Sequence, residues 1–174
     1  MKWFLACALL AGCGRKAKLS PELDVPGSAE DVTQVRAGEV IETGARWSGG
    51  GLCLDIPADW DARGSGNGVL GTLRHEPSGV DITVVEYVDE EPLNERSGYK
   101  LEFEDQSAYR TISLFHDGGT RTWTSNEPDG PTLKEWFGTV GSHRVHLEVV
   151  LPFGRVIQGT RAVETLFAAL KTTC

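Results

Sequence analysis

Apolar and polar residues alternate over most of the chain, and the alternation marks strands. In Leu52-Cys53-Leu54-Asp55-Ile56 the residues Leu52, Leu54 and Ile56 share one face, and Pro57 ends the run. Val69 to His75 and Val80 to Val88 flank the turn Glu76-Pro77-Ser78-Gly79, which predicts an antiparallel hairpin with Val80, Ile82 and Val84 toward a core. Arg110 to His116 and Thr120 to Ser125 flank Asp117-Gly118-Gly119, a dipeptide signal for a second hairpin. Leu133 to Val140 and His143 to Leu151 flank Gly141-Ser142, a third; Val145, Leu147, Val149 and Leu151 form its apolar face. Together these predict a four-stranded meander over residues 109–151. The period then changes. Val156, Ile157, Val163, Leu166, Phe167 and Leu170 recur at helical spacing and predict an amphipathic helix from Arg155 to Lys171. Residues 92–108 fit helix and strand equally, with Gly98 followed by Tyr99-Lys100-Leu101-Glu102-Phe103. The expected fold class is α+β: a twisted antiparallel sheet of six or seven strands with the C-terminal helix packed on one face.

The first residues follow a different rule. Lys2 precedes the apolar run Trp3 to Leu10, too short to span a bilayer and flanked as a signal peptide is. The run closes in Leu10-Ala11-Gly12-Cys13, which resembles a bacterial lipobox. That resemblance implies cleavage before Cys13, lipid on Cys13, and a membrane as the first partner. Gly14 to Arg46 holds Pro21, Pro26, Gly27 and few apolar residues, as a tether does; Val40-Ile41 within it fits an edge strand. The expected organisation is a signal peptide over 1–12, lipidated cysteine and flexible tether over 13–46, and one globular domain over 47–174. Trp47-Ser48-Gly49-Gly50-Gly51 is read as the hinge between tether and domain. The expected location is the cell envelope, facing the periplasm. Gly14 stands where inner-membrane retention in many bacteria calls for Asp, which favours the outer membrane.

Composition narrows the partners. The 174 residues carry a net charge of −8, which argues against nucleic-acid binding. Of four cysteines, Cys7 lies in the signal and Cys13 takes the lipid. Cys53 and Cys174 remain, an even pair in an oxidising compartment, and a disulfide between them is expected.

The order of strands before a final helix resembles the PsbP-like fold. The residues that carry the resemblance are Leu52 to Trp60 at the entry, Trp136, Val145 to Leu151, and the helical stretch Val156 to Leu170. It implies a binding or assembly accessory rather than an enzyme.

The residues themselves offer little chemistry. Gly64-Ser65-Gly66 does not sit between strand and helix as a nucleophile elbow must. The glycines 64–68 lead into a strand, whereas a phosphate loop opens a helix. The acids of 86–105 match no EF-hand spacing. His143 and His146 are three apart on a strand, so they face opposite ways and do not grip one metal. No metal and no cofactor is expected. His146 and Glu148 share a face with Arg144, and a His–Glu pair can act as base and orienter; the simpler reading is the polar side of a half-buried strand. Of Trp47, Trp60, Trp123 and Trp136, most belong in a core. Trp123, between Thr122 and Thr124 near a hairpin, is the one placed to lie exposed, where it forms with Arg121 a partner-contact patch. Three functions follow in order of weight: a non-enzymatic lipoprotein that binds or helps assemble another envelope protein, a small-ligand or cell-wall-binding module, and a hydrolase using His146 and Glu148.

Overall fold

The computed structural model describes residues 40–41, 43–64, 69–87, 95–107 and 110–174. The expected signal peptide, Cys13 and most of the expected tether lie outside the described residues. Among the described residues ten strands and one helix follow in order: β1 Val40–Ile41, β2 Arg46–Gly49, β3 Leu52–Asp55, β4 Trp60–Arg63, β5 Val69–His75, β6 Val80–Glu86, β7 Tyr99–Asp105, β8 His116–Ser125, β9 Thr132–Val140, β10 His143–Leu151 and α1 Val156–Ala169. Eight of the strands form one sheet in the order β1-β4-β5-β6-β10-β9-β8-β7, and β2 and β3 form a separate ribbon. The class is α+β as expected, but the sheet is larger than six or seven strands.

Two of the three expected hairpins are present. β5 and β6 pair with Leu73 opposite Ile82, and the Gly79 N–H donates to the His75 carbonyl at 2.8 Å across their turn. β9 and β10 pair around Gly141, whose φ of +58° is the left-handed value that a primed turn needs at its first central residue.

The third hairpin is absent, and so is its first strand: residues 110–115 form turns instead, with Ile112 and Phe115 buried in the core. β8 runs through Asp117-Gly118-Gly119 with a bulge between His116 and Gly119. The cause is a close approach. A Cβ on Gly118 would lie 1.8 Å from the Phe137 carbonyl oxygen, so only glycine lets the bulged strand reach β9. The meander therefore consists of β7 to β10 and begins at Tyr99, which resolves the helix-or-strand ambiguity there in favour of an edge strand.

The expected hinge is also a structured element. Gly50 and Gly51, with φ of +58° and +76°, make the two-residue turn of the β2–β3 ribbon. Trp47 of this ribbon lies against Gly71 of β5, where a Cβ would stand 2.3 Å from the indole Nε1. The fold takes in more of the chain than the expected domain. Ile41 is buried and pairs with Ala62, so the strand of residues 40–41 and the described residues 43–46 belong to the domain rather than to a tether.

Ribbon and helix cover one face of the sheet, and the core lies between. Val80, Ile82 and Val84 of β6 and Val145, Leu147, Val149 and Leu151 of β10 meet Val163, Leu166 and Phe167 of α1. Trp136 of β9 meets the Phe167 ring edge-on at 5.0 Å. The chain end is fixed to the ribbon: Cys53 and Lys171 exchange backbone hydrogen bonds, and Cys53 is disulfide-bonded to Cys174.

Candidate functional site

The other face of β8, β9 and β10 carries the polar side chains. Strand alternation that turns Leu147 and Val149 into the core turns His146 and Glu148 away from it. Glu135 of β9 stands directly opposite Glu148 and beside Arg121 of β8. Two carboxylates facing each other across a strand pair repel unless a cation lies between them. Arg96, from the segment ahead of β7, supplies it: its Nη2 donates to Glu135 Oε1 and, at 2.5 Å, to Glu148 Oε2. The Trp123 indole N–H donates to Glu135 Oε2. His146 Nε2 lies 3.0 Å from Glu135 Oε1, and because a carboxylate only accepts, that nitrogen carries the proton.

Glu135 is completely buried, yet ionised. Burial alone pushes its carboxyl upward. The hydrogen bonds from His146, Trp123 and Arg96 outweigh burial and bring the pKa down from 4.5 to about 2. Arg96 is pulled two ways as well: desolvation favours losing its charge, but Glu135 and Glu148 hold it more firmly protonated than a free arginine.

This geometry changes two of the expectations. The His146–Glu148 pair is not formed, since His146 engages Glu135 and Glu148 engages Arg96. Ligating atoms of Glu135, His146 and Glu148 lie within 4.8 Å of one another, a spacing from which a metal site can be built. The Arg96 guanidinium already bridges the two carboxylates, so the charge a metal would supply is present as a side chain. Trp123 and Arg121 do not form an exposed patch, because both are buried. The Trp123 ring must lie within the cluster for its N–H to reach Glu135. Arg121 lies over the Phe137 ring, 5.0 Å from its centroid, and its Nη2 donates to Glu104 Oε1 at 3.2 Å. His143, on the core-side register, pairs with Glu86 at 2.5 Å and stays apart from His146.

Two members of the cluster, Glu135 and Arg96, escape the sequence reading. Glu135 had a signal: it falls in phase with Leu133 and Phe137, so an acid occupies a position whose neighbours on that face are apolar and buried. Arg96 had none, being 39 and 52 residues from the carboxylates it bridges.

Beyond the cluster, toward the bulge of β8, the same face opens into a cleft of about 630 Å³. Its walls include Tyr87, Gln106, Asp117, Arg121, Phe137 and Arg144. The Tyr87 N–H donates to the Arg144 carbonyl at 3.1 Å, which extends the β6–β10 ladder by one step and sets the two side chains as neighbours. The Arg144 guanidinium stands 6.0 Å from the centre of the Tyr87 ring.

No family model matches the chain, and no curated protein matches it. Among solved structures it is similar to the solution structure of cyanobacterial PsbP (CyanoP) from Synechocystis sp. PCC 6803, at 12% identity and a TM-score of 0.49, over 78% of this chain and 96% of that one.

Proposed function

We propose that this chain is a lipid-anchored protein of the cell envelope whose domain binds another envelope protein and performs no chemistry on it. The observation that carries the reading is the state of the acid–base side chains on the polar face. A general base needs a free lone pair aimed at substrate. His146 Nε2 is committed as a donor to Glu135, Glu135 accepts at both oxygens, and Glu148 is held by Arg96. The pair that sequence alone offered for hydrolysis is thus taken apart: Glu148 is tied to Arg96, and His146, whose lone pair sits on Nδ1, is anchored by Glu135 instead. An activity lost in His146→Ala, against a variant that still folds, would restore the hydrolase reading.

The anchor rests on Lys2, the apolar run and Leu10-Ala11-Gly12-Cys13. The Cys53–Cys174 bond supports export, since such bonds persist in oxidising compartments. Two or more acyl chains on Cys13 would make attachment stable, where one gives only marginal binding. Mass spectrometry of the mature N-terminus is expected to show acylated Cys13, and an intact Met1 would refute the anchor. Fractionation is expected to place the protein in the outer membrane. The binding role is tested by crosslinking in intact cells at native level. One reproducible envelope protein attached to the domain supports it; crosslinks confined to lipids and abundant bystanders refute it. The cleft favours a second reading, a module for small ligands, because its volume falls in the range of ligand sites.

A further inference from the structure

We infer that the cleft at the bulged end of β8 binds a small hydroxylated anion, a sugar carboxylate or sugar phosphate, with Arg144 as its principal charged contact. The inference rests on the reading of this domain as a binding module and names what its polar face takes.

The charge comes first. The chain as a whole is acidic, at −8; among the described residues this cleft is lined by two guanidinium groups, Arg121 and Arg144, and one carboxylate, Asp117. The two arginines differ. Arg121 is buried, and its charge is met by Glu104. Arg144 is exposed on β10 and has no carboxylate within ion-pair distance among the described residues. It is therefore the cation that an incoming anion meets.

Orientation comes next. Each guanidinium is associated with an aromatic ring, Arg121 with Phe137 at 5.0 Å and Arg144 with Tyr87 at 6.0 Å. At Arg144 the N–H groups are the donors that match carboxylate and phosphate oxygens, whereas Arg121 spends its Nε and Nη2 on Glu104. The backbone holds these rings in place: Phe137 lies on central strand β9, and Tyr87 is bonded to the Arg144 main chain.

The remaining walls select for hydroxyls. Asp117 and Gln106 line the same cleft and provide acceptors beside the arginines. A bare anion gains nothing from Asp117 and is repelled by it, whereas an anion that carries hydroxyl donors satisfies both. Asp117 is held at φ +48°, a left-handed value unusual outside glycine, inside the bulge that Gly118 permits. The volume of about 630 Å³ suits a molecule of sugar size.

The test is calorimetric titration of the full-length chain in detergent micelles with glucuronate, glucose 6-phosphate and glucose, for wild type and Arg144→Gln. Arg144 is exposed and outside the core, and an unchanged thermal midpoint verifies that the variant folds. The expected result is binding of at least one acid at about millimolar affinity or better, with no binding of glucose. Arg144→Gln is expected to weaken it by about tenfold or more, and affinity is expected to fall with added salt. Absence of binding by both acids, equal affinity for glucose, or equal affinity of the variant overturns the inference. An in-cell crosslink to one envelope protein with no acid binding removes the anion site and leaves the protein-binding reading standing. Acid binding with bystander crosslinks alone does the reverse.

Discussion

Replacing Glu135 by Gln removes the charge on which Arg96, Trp123 and His146 converge while keeping the side chain's shape. Its worth follows from two independent routes. The carboxyl is held at about 2 in the fold against an ordinary 4.5, an interval equivalent to about 3 kcal/mol. Breaking a buried ion pair by removing one partner costs about 3–5 kcal/mol in other proteins. The sign of the pH dependence is fixed by the direction of the shift. A carboxyl with a depressed folded-state pKa contributes fully above its unfolded value, and the contribution is lost as pH falls from 4.5 through about 2. Urea titrations of wild type and Glu135→Gln at several pH values read this directly. At pH 7 the variant should be less stable by about 3 kcal/mol, a midpoint shift of about 1.5 M for a urea slope near 2 kcal/mol/M. The gap should narrow steadily below pH 4.5 and nearly close at pH 2. Other carboxylates titrate in the same range, notably Asp55 beside Arg46 and Asp105 bonded to Ser107, but they are common to both proteins and cancel in the difference. A gap that stays constant from pH 6 to pH 2 would show that Glu135 is not an ionised hub, and the account of the polar face would fail with it.

Three further outcomes are expected. Cys174→Ser opens a loop closed across 121 residues and should cost up to about 5 kcal/mol on the chain-entropy account, read as a lower urea midpoint that reductant no longer changes. Leu166→Ala, at a side chain 2% exposed under α1, should cost about 2–5 kcal/mol by the same titration. Gly159→Ala puts a Cβ 2.5 Å from Val80 Cγ2 and 2.8 Å from Leu151 Cδ2. Overpacking of about 1–3 kcal/mol should outweigh the gain of about 1 kcal/mol in helix propensity, so this variant should be less stable despite its better helix former.

What the sequence makes legible is what repeats locally. The β5–β6 and β9–β10 hairpins and α1 lie where alternation and helical spacing put them, because one face of each is buried and the period records it. The failures share one cause, since contact with a distant segment decides them. Asp117-Gly118-Gly119 has the composition of a turn, but its glycines serve an approach to Phe137 that no neighbouring residue reveals. Gly49-Gly50-Gly51 resembles a flexible joint until Trp47 is seen packed on Gly71. Within the site, His146 and Glu148 were visible as a pair on one face. Their true partners, Glu135 and Arg96, come from another strand and a remote segment, and the pairing depends on the tertiary arrangement.

The bond between Cys53 and Cys174 also determines how the protein bears load. Tension applied between the N-terminal side and the last residue enters at Cys53 and leaves through Cys174 without passing along the 121 steps between them. At about 3.4 Å per residue, roughly 400 Å of contour is withheld from extension. Of the eight-stranded sheet only β1 lies outside that covalent ring; β4 to β10 and the helix lie inside it. A pull between the two ends can strip β1 and β2 from the fold, but cannot unravel the strands that hold the cleft and the buried charges.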